Sequence, residues 1–363
     1  MRRVAVDSLA LRLRSLLLRD HPGGRPADVA GVVRWFGAMQ AQDMASVLWS
    51  LGARLPLTSG AISTALEDRS VVRTWPMRGT VHLVPSADAR WMLDLMGVRA
   101  LAGAAKRREI IGLSEAAAER GVETLGEALA GGGRLTRAEC LRTLTEAGID
   151  VSGQQGYHML WYASQRGVTA IAPHVGKEQT FVLLDEWASS PAAPSREEAL
   201  GIIALRYFRS HGPATVADLV RWTGLTIRDC RAGVAAAGDA LVTLPDGQIL
   251  DRALLASEPP ELDDWLALPG FDEYMLGYKD RSLMLSDPSH LNAVVPGGNG
   301  IFQSTIVRAG VVVATWKRTL GPKKVTVTVQ PLAKIKVADR RQVTAALQPY
   351  ADFLELDLDV RRP

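Results

Sequence analysis

An α+β fold is predicted, in which a unit of helices followed by a β-hairpin occurs three times before a strand-rich C-terminal lobe. Three observations predict it. Helical periodicity gives way to a strand–turn–strand pattern near residues 71–84, 168–184 and 241–250. Two helical segments open with the same arrangement, an acid three residues after a threonine: Thr136 with Glu139, and Thr215 with Asp218. Beyond residue 265 alternation replaces the helical period, most cleanly in Lys324-Val325-Thr326-Val327-Thr328-Val329.

In chain order, Leu9, Leu13, Leu16 and Leu17 among Arg12, Arg14 and Arg19 predict an amphipathic helix, which His21-Pro22-Gly23-Gly24 ends. A second helix is expected over 26–39, opened by Pro26, with Val29, Val32, Val33 and Phe36 on one face. Asp43 suits the N-cap of a third, and a fourth follows Thr58-Ser59-Gly60 to about Asp68. Residues 71–84 read as two strands about an exposed turn, and three helices before a hairpin are the outline of a winged helix.

The second unit runs from Thr136 through a turn at Ala147-Gly148-Ile149 to strands at 168–171 and 181–184 about His174-Val175-Gly176. The third repeats this from Thr215 through Thr223-Gly224-Leu225 to strands at 241–244 and 248–250 about Asp246-Gly247. A linker, Ser189 to Ser195, separates them. In the lobe, Ile306-Val307 and Val311 to Ala314 flank an Ala309-Gly310 turn. Residues 354–360 are expected as a strand whose Glu355, Asp357 and Asp359 form a solvated face rather than a metal site. The expected division is 1–95, 96–188, 195–255 and 256–363: three tandem winged-helix units and a β-rich C-terminal lobe.

At 363 residues the chain has room for two to four units. Its 47% hydrophobic and 22% charged residues are those of a globular protein, not a disordered one. Cys140 and Cys230 lie far apart within helical patterns and are expected as buried thiols, without disulfide or zinc cluster. Neither metal nor cofactor is expected. Asp7, Arg12 and Arg14 break any leader-like core, and no apolar run reaches the ~18 residues of a membrane span. A cytoplasmic protein that does not engage a membrane is the expectation.

The net charge of +3 is unevenly spread. Lys317, Arg318, Lys323, Lys324, Lys334, Lys336, Arg340 and Arg341 face only Asp339 in their stretch. Such an excess suits a polyanion and equally a solvated strand ribbon.

Common catalytic signatures are missing: no P-loop, no G-x-G-x-x-G, no G-x-S-x-G and no H-E-x-x-H, and the six histidines lack ligand spacing. Three segments stand out instead. The first is Met39-Gln40-Ala41-Gln42-Asp43. Helical residues two apart point about 200° away from each other, so Gln40 and Gln42 act together only on extended or turning backbone. Composition by itself reads this segment as a polar loop between helices. The second, Pro269 to Arg281, crowds aromatics with charges, as a contact surface or an interface held by ion pairs would. The third, Pro296-Gly297-Gly298-Asn299-Gly300-Ile301-Phe302, permits close backbone approach and precedes Thr315-Trp316-Lys317-Arg318, where an aromatic beside cations suits stacking and phosphate contacts.

These segments, together with Arg73-Thr74-Trp75-Pro76-Met77-Arg78-Gly79-Thr80-Val81-His82-Leu83, resemble the winged-helix DNA-binding family that contains the AlkZ/YcaQ DNA glycosylases, over nearly the whole chain. That family's catalytic element is Gln-apolar-Gln or Gln-apolar-Asp, and Gln40-Ala41-Gln42 matches the first. The resemblance implies a monofunctional DNA glycosylase that needs no cofactor, with Gln40 and Gln42 catalytic. It would hydrolyse the N-glycosidic bond of N7-alkylated purines in double-stranded DNA, bulky adducts and interstrand crosslinks included, in repair or in resistance to an alkylating toxin.

Asp43 is a rival for the catalytic role but is already engaged as a cap. The residues expected to meet DNA are Trp75, Met77, Arg78, His82, Tyr274, Lys279, Arg281, Asn299, Trp316, Lys317, Arg318, Lys323 and Lys324, in a protein acting as a monomer. The alternative is a non-catalytic winged-helix transcriptional regulator, which would read a palindromic site as a dimer.

Overall fold

The computed structural model describes residues 2–188, 192–256, 262–332, 336 and 339–361. The first residues of the expected linker, 189–191, and Lys334 of the basic stretch lie outside the described residues. The chain opens with helix Arg2–Ser15. The second helix, Val29–Phe36, is shorter than the expected 26–39. Asp28 caps it by accepting from the Gly31 N–H, and Gly37 ends it at φ 79°, a conformation that glycine adopts without strain. Released from helix, Met39–Gln40 forms a two-residue strand, β1, instead of a loop. Helices Met44–Gly52 and Ser59–Ala65 start at the caps Asp43 and Thr58, as expected. The hairpin of β2 (Val71–Met77) and β3 (Thr80–Pro85) turns at Arg78-Gly79, both at positive φ.

Further along come helices Glu115–Leu129, Arg137–Glu146 and Gln155–Gln165 with β4 (Arg134–Thr136), β5 (Thr169–Val175) and β6 (Glu178–Leu183). Val175 pairs with Glu178, so this hairpin turns at Gly176-Lys177 and not at the expected His174-Val175-Gly176. Helices Arg196–His211, Val216–Thr223 and Ile227–Ala237 then precede β7 (Leu241–Thr243) and β8 (Ile249–Asp251). The capping boxes at Thr136–Glu139 and Thr215–Asp218 both form.

The C-terminal region contributes β9 (Trp265–Leu268), β10 (Ser304–Arg308), β11 (Val311–Leu320), β12 (Lys324–Pro331) and β13 (Asp357–Arg361), with helix Arg340–Leu354 before the last strand. The expected strand 354–360 is therefore partly helix. Leu354 is the last helical residue, Glu355 turns the chain at φ 57°, and only Asp357 onward pairs with β12. Glu355 thus leaves the acidic strand face that alternation suggested, and Asp359 is paired with Lys324 at 3.2 Å.

The β2–β3 and β5–β6 hairpins belong to one six-stranded sheet, in the order β1-β3-β2-β5-β6-β4, joined where Arg73 of β2 pairs with Ile171 of β5. β7 and β8 pair alone, and the C-terminal sheet runs β13-β12-β11-β10-β9, with β12 and β13 parallel. The class is α+β, a mixed helical region with a β-rich C-terminal sheet, in an arrangement of winged-helix type. Helix Arg2–Ser15 fastens distant parts together: Arg12 Nε donates to the Pro213 carbonyl at 2.9 Å, and its guanidinium sits 4.1 Å above the Tyr278 ring. Cys140 and Cys230 are buried free thiols. Among the described residues, no helix is long and apolar enough to cross a membrane and no His, Cys, Asp and Glu cluster could hold a metal ion.

Candidate active site

β1 is an edge strand, held on one side by β3 with Met39 opposite Leu83 and Gln40 opposite His82. Directly opposed residues of an antiparallel pair project to the same face. Gln40 therefore shares a row with His82 and with Thr74, the partner of His82 on β2. Gln40 is 9% exposed, and its carbonyl oxygen is buried without a hydrogen-bond donor from the protein. The alternate row carries Met39, Leu83, Arg73 and Ile171. After the Ala41 N–H bonds to the Val81 carbonyl the chain leaves the sheet, and Gln42 is exposed. Asp43 Oδ2 accepts from the Ser46 N–H and so starts the next helix.

Gln42 lines a cavity of about 580 Å³, together with Arg73, Arg137, His174, Lys177 and Glu178. Gln40 is not part of that lining. The two amides are thus neighbours along the chain with different surroundings, one buried on an edge strand and one exposed. Arg73, 5% exposed, donates from Nη2 to the Ala41 carbonyl at 2.9 Å, clamping the middle of the Gln-Ala-Gln segment. Burial pulls its pKa down to about 10, with Asp43 opposing, so it remains a cation at neutral pH. Burial, and then Arg73, push His174 below the usual histidine range.

The other residues expected to meet DNA fall into two groups. Trp75, Met77, His82, Tyr274 and Trp316 are buried. In this structure these five therefore offer a duplex little or no surface. Trp316 Nε1 donates to the Leu268 and Thr305 carbonyls, and the Tyr274 hydroxyl to the Gly310 carbonyl. By contrast Lys279, Asn299, Lys317, Lys323 and Lys324 are exposed, and Arg78, Arg281 and Arg318 are partly so. Arg78 links the first hairpin turn to the Arg221 carbonyl of helix Val216–Thr223, and Arg281 lies 5.0 Å over Phe302.

The segment around Asp272 is an interface held by ion pairs. Asp272 accepts from both terminal nitrogens of Arg54 and from Ser50, while Glu273 Oε2 meets His211 Nε2 and Trp222 Nε1. Sequence reading overlooked Arg54, Arg73 and His174. A signal existed for Arg73: it is the lone charge in the strand pattern from Val71 to Met77.

The profile of the family described as AlkZ-like DNA glycosylase matches residues 33–353. The chain is 28% identical over 279 residues to an interstrand DNA cross-link repair glycosylase of Streptomyces sahachiroi, covering 71% of this chain and 73% of that protein. Its fold is like that of Streptomyces sahachiroi DNA glycosylase AlkZ, with a TM-score of 0.77, 23% identity and 99% of each chain covered.

Proposed function

The chain belongs to the AlkZ-like DNA glycosylase family, and on that footing we propose that it is a monofunctional DNA glycosylase acting on N7-alkylated purines in duplex DNA, bulky adducts and crosslinks included. Its three helix–hairpin units are read as tandem winged helices presenting Arg78, Lys279, Arg281, Asn299, Lys317, Arg318, Lys323 and Lys324 to the duplex. One observation supports the catalytic assignment above the others: Gln40 holds a buried carbonyl oxygen that no protein group satisfies, within a segment clamped by Arg73. An orphaned acceptor is costly in a core, and a water admitted beside it when the duplex binds would relieve that cost.

An N7-alkylated purine is already cationic, so its glycosidic bond breaks without a general acid. The bonding pair passes to the base, which leaves neutral, and the sugar is left as an oxocarbenium ion. A water oxygen then bonds to the anomeric carbon and its proton passes to solvent. Gln40 accepts a hydrogen bond from that water and orients it, while the Gln42 amide donates to a sugar or phosphate oxygen. No lysine adjoins the motif, so a Schiff base and strand cleavage are not expected.

The test compares single-turnover excision of N7-methylguanine, a bulky N7 adduct, an N7 interstrand crosslink and uracil in one duplex, read by alkaline cleavage at the abasic site. Release of the three cationic lesions with uracil inert is expected. Rapid uracil release with the bulky adduct untouched would indicate a tight pocket instead and overturn the assignment.

A further inference from the structure

We propose that the cavity in front of Gln42 is a binding site for a single backbone phosphodiester of DNA, with Arg73 as its anchor. The inference rests on the glycosylase reading for what lies beside the phosphate, and on the geometry of Arg73 for the phosphate itself.

Arg73 stands in a row with Met39, Leu83 and Ile171, all apolar and buried. Of its three guanidinium nitrogens, Nη2 serves the Ala41 carbonyl, while Nε and Nη1 are buried without a protein partner. A structural tie to one carbonyl needs one N–H. It does not need a buried charge with further donors unused, which is among the least favourable arrangements in a protein interior. A planar fork of donors is what recognises two oxygens of a phosphate.

The surroundings agree. Arg137 and Lys177 add positive charge to the same cavity, against Glu178 in the lining and the nearby Asp43, whose Oδ2 is engaged at its helix start. The residue that ties the site to chemistry is Gln42, which lines the same space. Departure of a purine leaves positive charge on the sugar, which an uncompensated guanidinium nearby would oppose. A phosphodiester held by that guanidinium cancels the repulsion and fixes the sugar relative to Gln42.

The experiment uses the full chain and a duplex carrying a tetrahydrofuran abasic analogue, in which one phosphate at a time is replaced by neutral methylphosphonate. Affinity is measured by fluorescence anisotropy for wild type, Arg73→Gln and Arg137→Gln. Removing one charge-assisted hydrogen bond is expected to weaken wild-type binding roughly 10- to 100-fold at one phosphate position. Arg73→Gln should bind the unmodified duplex weakly by a similar factor and lose little more at that position. Arg137→Gln, an exposed change that leaves the core intact, should couple to the same phosphate or the next one.

Additive losses at every position for both variants would overturn the proposal. If Arg73→Gln does not fold, Arg73→Lys, which keeps the charge and loses the fork, takes its place, and a methylphosphonate penalty at that position equal to the wild type's would overturn the proposal. Excision of N7-methylguanine, followed in parallel, separates the two readings. Coupling without excision removes the glycosylase assignment only, and excision without coupling removes the phosphate site only.

Discussion

Gln40 stands directly opposite His82 across the β1–β3 pair, so the amide assigned to water has a fully buried imidazole as its cross-strand neighbour. His82 Nε2 meets Arg78 Nη2 at 3.3 Å, and because arginine can only donate, Nε2 is an acceptor. Nδ1–H therefore donates to the Thr80 carbonyl, 2.8 Å away. Burial, and then Arg78, pull the imidazole pKa down to about 3. The ring is neutral under all ordinary conditions, with both nitrogens engaged, and offers no competing base beside Gln40.

Gln40→Ala and Gln42→Ala should each lose about 10²-fold in single-turnover excision of N7-methylguanine, the usual effect of removing one preorganised polar group. Duplex affinity measured in parallel should hold for Gln40→Ala, and fall modestly for Gln42→Ala, whose amide donates to a sugar or phosphate oxygen. Equal excision rates for wild type and the double variant would remove the amides from the mechanism.

His82 makes stability depend on pH. Its folded pKa of about 3 lies below the ordinary 6.5, so between these values the unfolded chain binds a proton that the native one does not. The stabilisation is complete above pH 6.5 and is lost as pH falls toward 3, by about 1.4 kcal/mol per pH unit. His158, pulled down to about 4, shares much of this window, so the comparison must be with His82→Gln. That variant should show a flatter urea-unfolding profile from pH 6.5 to 4.5, and an unchanged slope would mean that the ring is charged in place.

Asp272→Asn should be strongly destabilising. The Arg54–Asp272 pair is 2.8 Å long with both side chains almost wholly buried. Removing one partner of such a pair typically costs about 3–5 kcal/mol, because the other charge is stranded. Burial raises the Asp272 pKa, but Arg54, Ser50 and the Tyr274 N–H outweigh it and hold the group below the usual carboxylate range. Its contribution is therefore present above pH 3.8 and is lost as pH falls through the lower folded value. The urea midpoint at pH 7 reports the loss, and a midpoint within error of wild type would refute it.

Lys323 and Lys324 should differ in their effect on DNA binding. Lys324 Nζ is already 3.2 Å from Asp359 on the adjacent strand. The exposed Lys323 side chain has no such partner among the described residues. Lys323→Ala should lower the slope of log affinity against log salt by about 0.9, the value for one phosphate no longer neutralised, and Lys324→Ala by less. An unchanged slope for both would return them to solvated surface.

Features whose causes lie within a few residues were legible before the chain is folded. Asp43, Thr58, Thr136 and Thr215 cap helices because the groups they bond are three residues away. The alternation of Lys324 to Val329 reports a strand for the same local reason. The Gln40-Ala41-Gln42 segment was legible as a motif from its residues and its resemblance.

Other features depend on partners distant in the chain, and these emerge only with the fold. Gln40 is buried and Gln42 is exposed because β1 pairs with β3, some forty residues on. Trp75, Tyr274 and Trp316 carry the residue types of a nucleic-acid surface, yet the fold buries them, Tyr274 against the Gly310 carbonyl and Trp316 against Leu268, Thr305 and Tyr350. Arg73 meets Ala41 across 32 residues, and Asp272 meets Arg54 across 218. A charge in an apolar run shows that something must compensate it, but its partner is chosen by which chain segments close on one another. Loop closure costs only slowly more with length, so no spacing in the sequence marks such a partner.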